Sequence, residues 1–366
     1  MTKILLIVEK SFDPPSDGVS AAIYSFYLHL NEIGKVDVVF QYNLKLTEQE
    51  GEDVTNKMKS SAYDIIVCSP LLPALWLVKN KNFFLNGARN VKKIALLNDC
   101  YTYVLYRQIF LSLKFRKGYT KIPVYLLKLL YYYFVEWRVG RFFDFILLQT
   151  NKDLTVFEKL FFVKNAFTMP NIPRTPTLTK SEQLHVSRNL YAVGFVATFV
   201  GSYCMIAEWF INEIWSEVIK REPRATLHLL GKNNENFIQQ FNKDIVSTLV
   251  IEKHVPTMGE FYDKVSIAVS PIFKGYGLIN KTVDAMSGGC IVIGDTAAFN
   301  GLSVTDGEDC IIANNRKEFI ATLSENLGVD NSKMRDNAKK AISESLNEAY
   351  YTEKLKEIIV NNPIKN

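Results

Sequence analysis

Short, nearly continuous apolar runs alternate with longer segments of helical period along the whole chain. In the first half the runs are Ile4–Val8, Val36–Phe40, Ile65–Cys68, Ile94–Leu97 and Phe145–Leu148. In the second half they are Tyr191–Val196, Thr226–Leu230, Ser247–Ile251, Ile267–Val269, Ile291–Ile293 and Cys310–Ile312. Runs of this kind fit strands buried on both faces, and strands that alternate with helices predict βαβ units in parallel sheets. Between the halves, Pro170, Pro173 and Pro176 continue neither a helix nor a central strand. The pattern therefore predicts an α/β protein of two doubly wound domains, residues 1–172 and 191–345, with a linker at 173–190. The tail, 346–366, reads as a helix expected to pack back toward the first domain. Facing strand ends would leave a cleft suited to a large polar ligand.

Composition narrows the classes. The chain has 366 residues, 48% apolar, with 43 Lys+Arg against 38 Asp+Glu, a formal charge of +5. That is enough apolar material for full cores and too little charge for a strongly basic nucleic-acid binder, so no nucleic-acid partner is expected. The cysteines, Cys68, Cys100, Cys204, Cys290 and Cys310, are odd in number and lack C-x-x-C or zinc-ligand spacing. They read as reduced thiols of a cytoplasmic protein. The opening run Ile4–Val8 meets Glu9 and Lys10 too soon for an export signal, and Val124–Trp137 is interrupted by Lys128 and Glu136, so no span is expected.

One segment carries the sharpest chemistry. Val269-Ser-Pro-Ile-Phe-Lys-Gly275-Tyr-Gly277-Leu-Ile-Asn-Lys281-Thr-Val-Asp284-Ala-Met-Ser-Gly288-Gly289 reads strand, glycine loop, helix and glycine turn. Glycines there let a ligand approach the backbone and expose amides at a helix start, which suits an anion. Lys281 and Asp284, three residues apart, share a helix face. A lysine there can neutralise a diphosphate; a carboxylate can accept both hydroxyls of a ribose. An ordinary βαβ unit with a Gly-rich turn is the structural alternative.

On these residues the chain resembles the GT-B glycosyltransferases of the family-4 type. A subgroup of that family replaces its first Glu by a glycine loop followed by a lysine, as Gly275, Gly277 and Lys281 do here; Tyr276 stands at the first Glu and Asp284 at the second. Glu208–Trp215, Pro223–Gly231, His254–Tyr262, Asn300–Leu302 and Asp306–Asp309 resemble further parts of the family's donor domain, and Asp17-Gly18-Val19 its first glycine loop. The resemblance implies two Rossmann-like domains facing across a cleft. It also implies a retaining transfer from a nucleotide-sugar, with donor contacts at Gly18, Thr198, Gly231, Lys232, Val255, Gly275, Tyr276, Gly277, Leu278, Lys281 and Asp284. Asp99 and Lys281 are the expected catalytic residues, Asp99 near the reacting sugar or, in the alternative, capping the helix that follows it.

The chain departs from the family at two places. From Ala197 to Ile206 there is neither the Arg nor the Lys that usually holds the diphosphate, so Lys281 or Lys274 would carry that charge. Asn98-Asp99 stands where a His-Asp pair is common. A donor-binding scaffold of a polysaccharide complex and a GT-B sugar-nucleotide epimerase are the alternative functions. No Asp-x-Asp pair suits a metal-bridged nucleotide, so a metal-independent enzyme without a cofactor is expected.

From Val104 to Arg141 eight basic residues are interleaved with aromatics, and Glu136 is the lone acid. Arg116, Lys117, Lys121 and Lys128, with this aromatic belt, are expected to meet an anionic membrane surface or a lipid-linked saccharide acceptor. A core helix at Leu126–Val139 with solvated lysines is the plainer alternative. The resulting expectation is a peripheral protein of the inner leaflet that builds bacterial surface polysaccharide, lipopolysaccharide or capsule.

Overall fold

The computed structural model of the protein describes residues 2–13, 18–40, 63–80, 91–170, 188–252 and 255–361. The first domain holds a parallel six-stranded sheet in the order β2-β1-β3-β4-β5-β6. Its strands are β1 (Thr2–Val8), β2 (Gly34–Phe40), β3 (Ile65–Ser69), β4 (Lys92–Asn98), β5 (Phe145–Leu148) and β6 (Ala166–Thr168). Ile4 to Val8 are fully buried, as a central strand covered on both faces requires. Its helices are α1 (Gly18–Ile33), α2 (Leu71–Lys79), α3 (Tyr101–Lys114), α4 (Ile122–Phe142) and α5 (Asn151–Phe161).

The second domain repeats the plan in the order β12-β11-β10-β7-β8-β9. Its strands are β7 (Asn189–Val196), β8 (Thr226–Leu230), β9 (Leu249–Glu252), β10 (Val265–Ser270), β11 (Ile291–Gly294) and β12 (Ile311–Ile312). The chain runs outward from β7 to β9, then returns to pair β10 with β7 on its other side. That reversal between β7 and β10 is the switch point where open α/β sheets bind ligands. Two helices matter for the site: α6 (Gly201–Trp209) after β7, and α7 (Asn280–Ser287) after β10.

The last helix, α8 (Glu348–Lys356), and its continuation return to the first domain. Leu355, Ile358 and Ile359 join the core formed by Ile4, Leu6, Phe26 and Leu30. His29 Nδ1 and Thr352 Oγ1 lie 2.8 Å apart, and Lys92 Nζ donates to the Ile359 carbonyl. Residues 171–187, and with them most of the expected linker 173–190, fall outside the described residues.

The gap between the domains is closed along α3. Leu111 of α3 belongs to the apolar core of the second domain, and Phe110 and Phe115 pack against it. The Phe115 ring lies 5.8 Å from that of Phe273, and Trp209 meets Phe273 edge-on at 4.9 Å. At the end of α3 these apolar side chains join the two domains.

Candidate functional site

Between β10 and α7 the loop 271–279 is pinned from both domains. Asp295, just after β11, accepts the amides of Ile272 at 2.6 Å and Phe273 at 2.9 Å. Arg107 of α3, 1% exposed, donates from Nε to the Phe273 carbonyl at 2.9 Å and from Nη2 to the Ile272 carbonyl. Phe273 and Lys274 both adopt left-handed backbone, φ 50° and 47°. Such geometry costs a non-glycine residue roughly 1–2 kcal/mol, and bonds on both sides of the two peptide units offset it.

Gly277 brings the loop backbone close to the first domain. Gly277 is also left-handed, φ +63°, and a β-carbon there would collide with Asp99 Oδ1 of the first domain. Its amide donates to Asp153 Oδ2 at 2.8 Å, and the Leu278 amide donates to Gln149 Oε1 at 3.3 Å. The amides read as an anion site are thus met by a carboxylate and an amide oxygen from the other domain.

Lys281 and Asp284 follow on α7. Lys281 Nζ donates to the carbonyl of Val196, the last residue of β7, at 3.2 Å, and lies 4.9 Å from the Tyr203 ring. The ammonium therefore sits at the switch point. Burial lowers its pKa to about 7, the Arg107 charge adds to the shift and Asp295 opposes it. Asp284 has its pKa raised to about 6 by burial, and its carboxylate accepts no hydrogen bond from the described residues. Lys274, the other candidate cation, turns away onto α3, with Nζ 3.3 Å from Tyr106 Oη and 4.8 Å from the Phe110 ring.

Asp99 is not the cap of α3. Glu136 of α4 takes that place, accepting from the Tyr101 amide at 2.6 Å, the Thr102 amide at 3.0 Å and Thr102 Oγ1 at 2.6 Å. A fully buried carboxylate at a helix start is favoured by the helix dipole, yet burial still raises Glu136 to about 7 against those hydrogen bonds. Asp99 is left facing Gly277, its pKa raised to about 8 by burial and by the nearby Asp153 and Glu136 charges.

Residues 192–328 match the family model described as Glycosyl transferases group 1. The second domain is thus similar to that family. A relative from Klebsiella pneumoniae, described as an uncharacterized 44.6 kDa protein in the cps region, is 27% identical over 118 residues, and the match spans 30% of each chain. HepE of Anabaena, solved in complex with UDP and glucose, is similar over 98% of this chain and 99% of its own, with 12% identity and a TM-score of 0.64. Sucrose-phosphate synthase of Thermosynechococcus elongatus is similar over 98% of both chains, with 12% identity and a TM-score of 0.69. The architecture is therefore GT-B.

Most of the donor residues expected from the sequence fall in loops at the ends of β7, β8 and β10. Gly275, Tyr276, Gly277 and Leu278 form the pinned loop that leads to Lys281 and Asp284. Thr198, Gly231 and Lys232 lie together where β7 and β8 end: a β-carbon at Gly231 (φ +137°) would collide with the Ala197 carbonyl, and the Phe199 amide donates to the Lys232 carbonyl at 3.0 Å. Thr198 and Lys232 are exposed there. Val255 packs beside the core of α7, and Gly18 opens α1, but residues 14–17 before it and His254 are outside the described residues.

Arg107, Gln149, Asp153 and Asp295 are additions to the predicted set. Thr150-Asn-Lys-Asp153 has capping-box spacing, and Thr150 Oγ1 does accept the Asp153 amide at 3.2 Å. That signal announces a helix start; nothing local announces a reach into the other domain.

The basic stretch divides. Arg107 is buried, Lys114 lies 3.4 Å from the Phe273 ring centroid, and Lys117 is paired with Glu208 of α6. All three contact the second domain, and Lys117 pairs with Glu208 there while its side chain stays about half exposed. Arg116 ends α3 in left-handed backbone, and Lys121 and Lys128 are exposed with Arg138 and Arg141. On α4, Val135, Glu136, Val139 and Gly140 face inward. Leu127 (70% exposed), Leu130, Phe134 (60%) and Trp137 face out at helical spacing. Among the described residues no helix is long and apolar enough to cross a membrane.

Proposed function

We propose that the protein transfers a sugar from a nucleotide-sugar to a lipid-linked saccharide acceptor, with retention, at the cytoplasmic face of a membrane. The observation that carries the donor half is Asp284: a carboxylate on the first turns of α7, free of hydrogen bonds among the described residues, one helical step from Lys281 at the β7/β10 switch point. Asp284 holds the ribose hydroxyls. Lys281 and the loop amides take the diphosphate, and the same groups stabilise it as it leaves, which is electrostatic preorganisation. Asp99, on the first domain beside Gly277, stands nearest to where sugar and acceptor would meet. With a pKa near 8 it can hold a proton at neutral pH and give or take one at an acceptor hydroxyl.

The acceptor half rests on α4. Its outward apolar stripe with flanking Lys121, Lys128, Arg138 and Arg141 suits insertion into an anionic interface. The relative in a cps region and the UDP and glucose complex of HepE support assembly of a surface polysaccharide and a sugar donor bound as a nucleotide. The test is a screen of labelled UDP-, GDP- and ADP-sugars with anionic vesicles carrying lipid extract. Donor-dependent label in the lipid fraction supports the proposal; binding without transfer leaves the scaffold alternative.

A further inference from the structure

The loop amides that the proposed function gives to a diphosphate already have partners within the chain. Asp153 Oδ2 accepts the Gly277 amide at 2.8 Å, and Gln149 Oε1 accepts that of Leu278 at 3.3 Å. An N–H that donates to a carboxylate is not available to a phosphate oxygen in the same place. An anion therefore already sits at the start of α7, supplied by the opposite domain.

Asp153 is an unusual residue to find there. It lies in the first turn of α5, where a carboxylate ordinarily stays in solvent, yet it is fully buried. Thr150 Oγ1 donates to the same Oδ2, while Oδ1 is buried with no hydrogen-bond partner among the described residues. Burial raises its pKa above the ordinary carboxylate range, so the folded protein bears a cost to keep the charge in place.

We propose that Asp153 is a built-in stand-in for the donor phosphate: it holds the loop 271–279 and the two domains together, and an entering diphosphate must displace it. This rests on the donor reading above and adds to it a competition inside the protein. Gln149 plays the same part at Leu278 without a charge. The apparent affinity for donor is then lowered by the fraction of molecules in which the latch is shut. Releasing the latch frees the amides and lets the domains part along α3.

The experiment compares the full chain with Asp153→Asn and Asp153→Ala. Asp153→Asn keeps the size of the side chain and one oxygen for Thr150 and the Gly277 amide while removing the charge, so it weakens the latch and remains informative where the alanine variant, which removes both bonds, does not fold. UDP, GDP and ADP are titrated calorimetrically, and amide exchange at Gly277 and Leu278 is followed without nucleotide. We expect faster exchange at both amides in the variants, and about fivefold or more tighter binding of whichever nucleotide the wild type prefers. Unchanged or weaker affinity in the folded variants overturns the stand-in and leaves the donor site standing. No binding of any nucleotide by any form removes the donor reading and the latch with it.

Discussion

Arg107 Nε donates to the Phe273 carbonyl at 2.9 Å, so a cation from one domain fixes a left-handed residue of the other. The two residues belong to α3 and to the loop 271–279 that leads into α7. The shape of the loop is consequently a property of the closed pair of domains rather than of the second domain by itself.

Arg107→Ala should leave two buried carbonyls without their donor and lower stability by roughly 2–4 kcal/mol. Arg107→Lys should recover less than half of that, because one ammonium does not reproduce the guanidinium fork. Thermal unfolding measures the loss. The fluorescence of Trp209, edge-on to Phe273 at 4.9 Å, reports whether the loop has moved. A melt identical to wild type in Arg107→Ala would mean the two bonds contribute nothing.

Asp99 predicts a pH dependence with a definite sign. Its folded-state pKa is raised from 3.8 to about 8, so between those values the folded protein binds more of the proton than the unfolded chain does. Its contribution to stability is fullest below about pH 4 and is lost as pH rises toward 8. Asp99→Asn should therefore melt higher than wild type at pH 8.5, with the gain shrinking as pH falls toward 4.5. A gain of equal size at both pH values would remove the buried, raised carboxyl from the account.

Much of the fold can be read along the chain because each core strand is a local apolar run. Phe145–Leu148 and Thr226–Leu230 have the predicted bounds. Strand β6, Ala166–Thr168, escapes because three residues beside Pro170 carry no period. The candidate site around α7 is legible for the same local reason: Gly275, Gly277, Lys281 and Asp284 lie within ten positions. The residues that pin it are not. Asp153 reaches Gly277 across 124 positions, Arg107 reaches Phe273 across 166, and Glu136 caps α3 from 35 positions away. Each of these looks like an ordinary charged helix residue until the chain has folded, which is why Arg107 and Lys117 read as surface charge.

Helix α4 makes a prediction independent of the donor. Leu127→Glu with Phe134→Glu should cost little stability, since both side chains face solvent at 70% and 60% exposure. The pair should reduce binding to anionic vesicles by about tenfold or more, because each buried apolar side chain contributes roughly 1.5–3 kcal/mol. Co-sedimentation with vesicles containing phosphatidylglycerol measures it. Equal sedimentation of wild type and variant would take the membrane surface away from α4.

The donor site is tested most directly by calorimetric titration of UDP, GDP and ADP into the wild type, Asp284→Ala and Lys281→Ala. Saturable binding of one nucleotide by the wild type, weakened about tenfold or more in each variant while both stay folded, is the predicted result. Binding of the same strength in all three proteins would contradict the assignment of ribose and diphosphate to the start of α7.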